Sequence, residues 1–424
     1  MRNRRPVEQW RKNLYTAWFT QILSLTGFGF VFPFLPLFIQ ELGTTDPDDL
    51  RLWTGLIASA PALSMGIMAP VWGLLADRFG KKLMILRAMA FGAVVSIMLA
   101  FAGSTQMVFL LRFVQGLFTG TVSAAAALVA TGTPRHKLSY ALGFQSSSTF
   151  IGISLGPLLG GVAAELAGYR ASFLIGAAVL TVGFVLAVVF IRDPERDAGA
   201  SEDAAGEATD NRADQDADRV ADGEGEFTVR DFLAPAFAAA FGILFMLRFC
   251  RVLTVPFIPL HVQDLRQNVE GTSAIVGAVS AARGAATAAA GLTLSRLGDK
   301  HDRMRLIAIF LFAAAVFSVP VFLADGMLAF VLFNVVFTYF LGGVEPLLQS
   351  SLAEMTPGNR RGLLFGIQTT VGNVGWFLAP LAGSAVSIAF SVRHVFAAMT
   401  VALVLALTVS AIIQRRVRAR VAAG

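Results

Sequence analysis

Long apolar runs separated by short polar breaks dominate this chain. Twelve runs, at about 14–40, 53–76, 83–103, 106–130, 139–165, 171–191, 232–261, 272–297, 304–324, 327–353, 361–389 and 393–414, each hold roughly 20 residues or more. That length suffices to cross a bilayer as a helix. Residues 193–230 interrupt the pattern with a stretch rich in Asp, Glu, Ala and Gly. Such a segment cannot bury enough surface to fold, and reads as a disordered acidic linker. The expected organisation is a helical bundle over 1–192, the linker over 193–230, and a second bundle over 231–424.

The second bundle repeats the first. The stretch from Val31 to Leu42, with Pro33, Pro36 and Gln40, returns from Val255 to Leu265, with Pro256, Pro259 and Gln263. Pro33 and Pro256 stand 223 residues apart, and the same offset relates Thr133 to Thr356, Gln145 to Gln368 and Pro157 to Pro380. Two homologous bundles of apolar helices are a common plan of membrane transporters, with the substrate site between the halves near mid-bilayer. The predicted fold class is an all-α membrane protein of twelve transmembrane helices in two pseudo-twofold-related bundles of six.

Composition agrees. The 424 residues are 55% hydrophobic and 15% charged, against roughly 25% charged in an ordinary soluble domain. The net charge of +6 sits mainly at Arg2, Arg4, Arg5, Arg11 and Lys12, in alternate loops, and at Arg415, Arg416, Arg418 and Arg420. That alternation serves membrane orientation and predicts both termini and the linker on the cytoplasmic side; no nucleic-acid partner is expected. The single Cys250 excludes an intrachain disulfide. The first apolar run lacks a cleavage site of small residues and reads as a transmembrane helix, not a removed signal peptide. No phosphate-binding Gly-x-x-x-x-Gly-Lys loop, metal cluster or nucleophile constellation is present. The chain is not expected to be an enzyme or to hold a cofactor or metal.

The loop after the second run contains Gly73, Asp77, Arg78, Gly80, Lys81 and Lys82. This resembles the signature loop of the major facilitator superfamily. A weaker copy, with Gly291, Arg296, Gly298 and Lys300, follows the eighth run, and Ser295 stands where Asp77 stands. The resemblance implies a cytoplasmic gate in which Asp77 contacts the start of the eleventh helix near Arg360 to Gly362. The family's usual acidic partner for Arg78, at the end of the fourth helix, is absent, and Glu354 is the candidate substitute. The fifth run holds Gly152, Gly156, Pro157, Gly160 and Gly161, similar to the motif of drug/proton antiporters in the superfamily. Glycines at spacing four permit close helix packing. A matching face of Gly277, Gly284 and Gly291 in the eighth run is expected to pack against it. Arg112, Gln115 and Gly116 resemble the family's Arg-x-x-Gln-Gly motif, tied to proton coupling. Prolines 33, 36, 256 and 259 suit kinked gating helices, and equally a structural bend.

Glu345 is the carboxylate found deep within an apolar run, and Arg248, Arg251 and Arg283 share the second half with it. A proton-coupled carrier needs a group that can gain and lose a proton inside the membrane. Glu345 is therefore the candidate proton carrier, with Arg248 or Arg283 as partner, and a static ion pair is the competing reading. The histidines at 136, 261, 301 and 394 are placed at loops or helix ends. The surplus of arginine points to a neutral, zwitterionic or anionic amphiphile as substrate. The resemblance implies a monomeric multidrug efflux transporter of the bacterial inner membrane, with the proton as coupling ion. A metabolite carrier of the same fold, for a sugar or organic anion by symport or exchange, and a membrane sensor are the alternatives.

Overall fold

A computed structural model describes the backbone of residues 6–30, 32–134, 137–192, 232, 235–267, 271–356 and 361–423; the linker expected over 193–230 lies outside these residues. The described residues are nearly all helical. The first span is Pro6–Gly29 continued by Leu35–Glu41, and the second and third are Pro47–Phe79 and Lys81–Ala100. The fourth is Thr105–Phe118 continued by Thr121–Gly132. Leu138–Phe190 is continuous except at Gly168, whose φ of 81° and ψ of 165° are non-helical. At 53 residues this helix is twice the length of one crossing, and Gly168 divides it into the fifth and sixth spans. The seventh is Pro235–Leu253 continued by Ile258–Arg266. The eighth to twelfth are Thr272–Thr293, Arg303–Leu323, Met327–Glu354, Arg361–Ala389 and Val392–Ala423. An even number of crossings puts both termini at one end, called here the near end.

Three spans are broken, two at prolines and one at a glycine supported by neighbouring spans. Pro33 and Pro256 sit in short 3-10 turns, Phe32–Phe34 and Val255–Phe257, and Pro36 and Pro259 open the helical segments that follow. Proline lacks the N–H that would continue the helical ladder. The fourth span breaks at Gly120, whose φ of +124° suits a residue without a Cβ. Two side chains satisfy the carbonyls this break frees. Trp72 Nε1 donates to Leu117 at 2.6 Å and Arg87 Nη2 to Thr119 at 3.2 Å. The Arg87 guanidinium also lies 3.4 Å over the Trp72 ring. Non-helical backbone at membrane depth persists only with such partners.

The halves meet along two seams. In one, a methyl placed on Gly161 would stand 2.5 Å from the Ser273 carbonyl oxygen and 3.1 Å from Gly277 Cα. One placed on Gly277 would stand 2.6 Å from the Pro157 carbonyl oxygen. In the other, Gly55 abuts Pro380 and Ser384, and Ser384 Oγ donates to the Arg51 carbonyl at 2.9 Å. Both contacts lie toward the far end. Residues 7, 11 or 18 apart share a helix face, because these are near-whole numbers of turns. Yet Gly291, on the face of Gly277 and Gly284, has nothing within 4 Å of a built Cβ. Neither do Gly66 and Gly73, on the face of Gly55, nor Gly366, on the face of Ser384. The two halves therefore touch at the far end and splay apart toward the near end.

Candidate functional site

Two arginines of the second half converge on Glu345. Arg248 and Arg251 are three residues apart in the last turns of the seventh span before its break, so one helix face presents both. Arg248 Nη2 donates to Glu345 Oε1 at 2.5 Å, and Arg251 Nη1 donates to Oε2 at 2.8 Å. Each carboxylate oxygen thus has its own arginine. The side chains of Arg248 and Arg251 are 35% and 32% exposed, and that of Glu345 is 14% exposed. The arginines stand in front and the carboxylate behind. Glycines make the room: on the eleventh span, a methyl on Gly372 would meet Arg248 Nη1 at 3.4 Å.

Arg283, on the eighth span, is buried and does not reach Glu345. Its Nη2 donates at 3.5 Å to the Arg251 carbonyl. The second partner of Glu345 is therefore Arg251 rather than Arg283. Both paired arginines belong to one helix, whereas Arg283 comes from a neighbour and ends on backbone. In the first half Arg112 is buried, donates from Nη1 to Gln115 Oε1, and lies 5.4 Å from the ring of Phe32 in the first-span break. Its Nε has no partner. Among the described residues Arg112 and Arg283 have no carboxylate partner.

The motif glycines divide between two neighbours. Gly152 presses on Ile22 and Leu25, Gly156 on Leu25, Thr26 and Gly29, and Gly160 on Phe30, all of the first span. The eighth span is met by Pro157, Gly161 and Ser154 instead. Steps of four keep 152, 156 and 160 on one stripe. Residue 161 is one position onward, about 100° round the helix.

At the near end, Gly80 takes a φ of +90° and separates the second and third spans. Arg78 is exposed, with its guanidinium 5.4 Å from the Phe79 ring, and Lys81 is buried. The side chain of Asp77 and the segment Arg360 to Gly362 lie outside the described side chains, and with them the expected latch. Glu354 does not meet Arg78: it pairs with Arg303. That hydrogen bond holds the exposed Glu354 carboxyl below its ordinary value of 4.5. Exposed Arg296 lines a cavity of about 200 Å³ with Ser295, Arg303 and Ser350.

At the far end Gln40 and Gln263 exchange two amide hydrogen bonds, of 3.0 and 3.2 Å, across the halves. Glu165 accepts from the Gly271 N–H at 2.8 Å, and Tyr169 and Ser273 hydroxyls lie 3.0 Å apart. His261, placed by sequence near a helix end, is buried beside the rings of Phe330 and Phe396, and neither ring nitrogen has a partner. Arg87 was hidden from sequence reasoning inside the apolar run 83–103. Its only signal there was a lone charge near the start of a span.

A broken pair of helices related by 223 residues, splayed bundles and a charged cluster inside the second bundle belong to a carrier architecture. The family model of the Major Facilitator Superfamily matches residues 17–268 and 240–423. The chain belongs to the Major Facilitator Superfamily. It is a transporter and not an enzyme, and a multi-pass membrane protein that handles small molecules. Over 392 residues it is 29% identical to Multidrug resistance protein MdtG of Salmonella schwarzengrund (strain CVM19633), covering 91% of each chain. The same protein of Salmonella newport (strain SL254) gives the same identity and coverage. Among solved structures, a bacterial homolog of the human lysosomal transporter Spinster, in an inward-facing and occupied conformation, superposes with a TM-score of 0.75. The two share 14% identity over 95% of this chain and 96% of that one. The human organic anion transporter MFSD10 (TETRAN) gives 0.65 at 16% identity, over 95% of this chain and 99% of that one. At such identities these two likenesses speak for the fold.

Proposed function

We propose that this chain is a proton-coupled secondary transporter that exports drugs or amphiphilic small molecules by alternating access in exchange for protons. It works as a monomer in a bacterial inner membrane, with both termini cytoplasmic. The carrying observation is Glu345: a largely covered carboxylate within an apolar span, held by two arginines at the break of the seventh span. A proton on Glu345 cancels the charge that both arginines hold, and so releases the joint between the seventh and tenth spans. That is a local event able to bias a two-state bundle. The splayed near end then corresponds to an inward-open state, and the Gln40–Gln263 contact to a closed outer gate. The similarity to Multidrug resistance protein MdtG supports drugs as cargo, and the Gly156–Pro157 motif supports exchange over symport.

Everted membrane vesicles test the direction. An acid lumen is expected to drive drug accumulation, and dissipating the gradient should abolish it. Arg112 and Arg283, unpaired with any described carboxylate, favour one second reading, an organic-anion symporter or exchanger. Under symport an acid lumen would drive the anion out of the same vesicles, and under anion exchange a counter-anion rather than the proton gradient would drive it.

A further inference from the structure

Resting on the proposed transport function, we propose that the arginines around Glu345 are also where substrate binds, as an acid-group site for anionic amphiphiles. In this site the Glu345 carboxylate occupies the place that the ligand's carboxylate or sulfonate competes for.

Arg248 and Arg251 share the single carboxylate of Glu345, and Arg283, on the Arg251 carbonyl, has no described carboxylate partner, which leaves two positive charges in excess within the bilayer. Uncompensated charge there is costly, and such groups are retained where a counter-charge visits. Arg248 and Arg251 each bind Glu345 through one nitrogen only, although a guanidinium offers five N–H donors in a fork suited to two-point capture of an acid group. Arg248 Nε has no partner at all. Arg283 spends its one contact on a backbone carbonyl at a stretched 3.5 Å. The donors are thus in place and undersubscribed.

Access and shape agree. Arg248 and Arg251 are about one-third exposed, and Glu345 lies behind them. A ligand arriving from the splayed end meets the guanidinium groups first. One turn nearer that end, on the same helix, lies Phe245; it stacks at 5.8 Å with Phe249, which is level with the arginines, and both rings are partly exposed. An amphiphile with its acid group on the arginines lays its apolar body along these rings. A cation finds the arginines in its path, and a neutral amide cannot use their charge.

Binding of radiolabelled decanoate to the purified protein in lipid nanodiscs, with protein-free discs as background, tests this. Decanamide and decylamine serve as competitors. Decanoate is expected to bind at least about tenfold more tightly than either. Glu345→Gln removes the internal competitor and should tighten decanoate several-fold, an effect that a merely structural glutamate would not produce. Arg283→Gln should weaken decanoate about tenfold without changing decanamide, and Arg283→Lys should restore part of the loss. Decanamide or decylamine competing as well as decanoate overturns the proposal. So does decanoate affinity unchanged or weakened in folded Glu345→Gln. Should Glu345→Gln not fold, the Arg283→Gln and Arg283→Lys pair decides alone. Proton exchange with a neutral drug, in a protein that shows no carboxylate preference, would sink this inference and leave the transport reading intact. Carboxylate preference without proton exchange would do the reverse.

Discussion

Replacing Gly277 by alanine should open the far end of the molecule. The added methyl would stand 2.6 Å from the Pro157 carbonyl oxygen, 3.3 Å from Gly161 Cα and 3.4 Å from Leu158 Cα. All three are backbone atoms of the fifth span, so no side chain can swing aside. Overpacking of this kind costs about 1–3 kcal/mol. The cost falls on the arrangement in which the fifth and eighth spans touch, and any arrangement that separates them escapes it. A bias of about 1–3 kcal/mol shifts a two-state population about 5- to 150-fold. Spin labels on Thr45 and Gly326, in a Cys250→Ala background, would report the far-end separation by pulsed electron resonance. Gly277→Ala should populate a longer distance. Gly291→Ala supplies the internal control: it lies on the same face of the same span, where a methyl meets nothing within 4 Å. An unchanged distribution in Gly277→Ala, or an equal shift in Gly291→Ala, would refute the packing argument.

Three further outcomes follow from the contacts described. Gln40→Ala and Gln263→Ala should each weaken far-end closure by about 1 kcal/mol. Because the two amides serve one another, the double variant should be little worse than either single one, and additive losses in the same distance assay would contradict a reciprocal pair. Arg87→Ala strands the Thr119 carbonyl at the break of the fourth span, at about 1–3 kcal/mol; the melting temperature should fall by a few degrees, and an unchanged value would show that the break needs no such partner. The Arg303–Glu354 bridge holds the Glu354 carboxyl below 4.5. Its small contribution is present above that pH and lost as pH falls through the lowered value. The melting difference between the parent and Glu354→Gln should shrink between about pH 7 and pH 4, and a widening difference would be the wrong sign.

The spans and the two-bundle plan were legible in the sequence, because a bilayer demands about 20 apolar residues per crossing and leaves little freedom in how they are written. The breaks at Pro33 and Pro256 were legible for a local reason, the missing N–H. The break at Gly120 carried no comparable mark. Its identity depends on Trp72 and Arg87, brought from two other spans. Arg248 and Glu345 could be singled out as buried charges, but their pairing is tertiary information. Arg251 rather than Arg283 reaches Glu345 because two residues three apart share a face, whereas Arg283 approaches from another helix. The close packing of the fifth and eighth spans was anticipated. Its division into one stripe facing the first span and another facing the eighth required the rotation of the helix about its own axis, which spacing alone does not state.

Glu345 as the proton carrier is the central claim, and substrate-evoked proton flux tests it most directly. The purified protein is placed in liposomes holding a pH-sensitive dye, and anionic, neutral and cationic drugs are added in turn to the parent and to Glu345→Gln. The account predicts proton movement that accompanies drug movement in the parent and disappears in the variant. Flux of undiminished size in Glu345→Gln would contradict it, and would move the proton to another group or to the substrate itself.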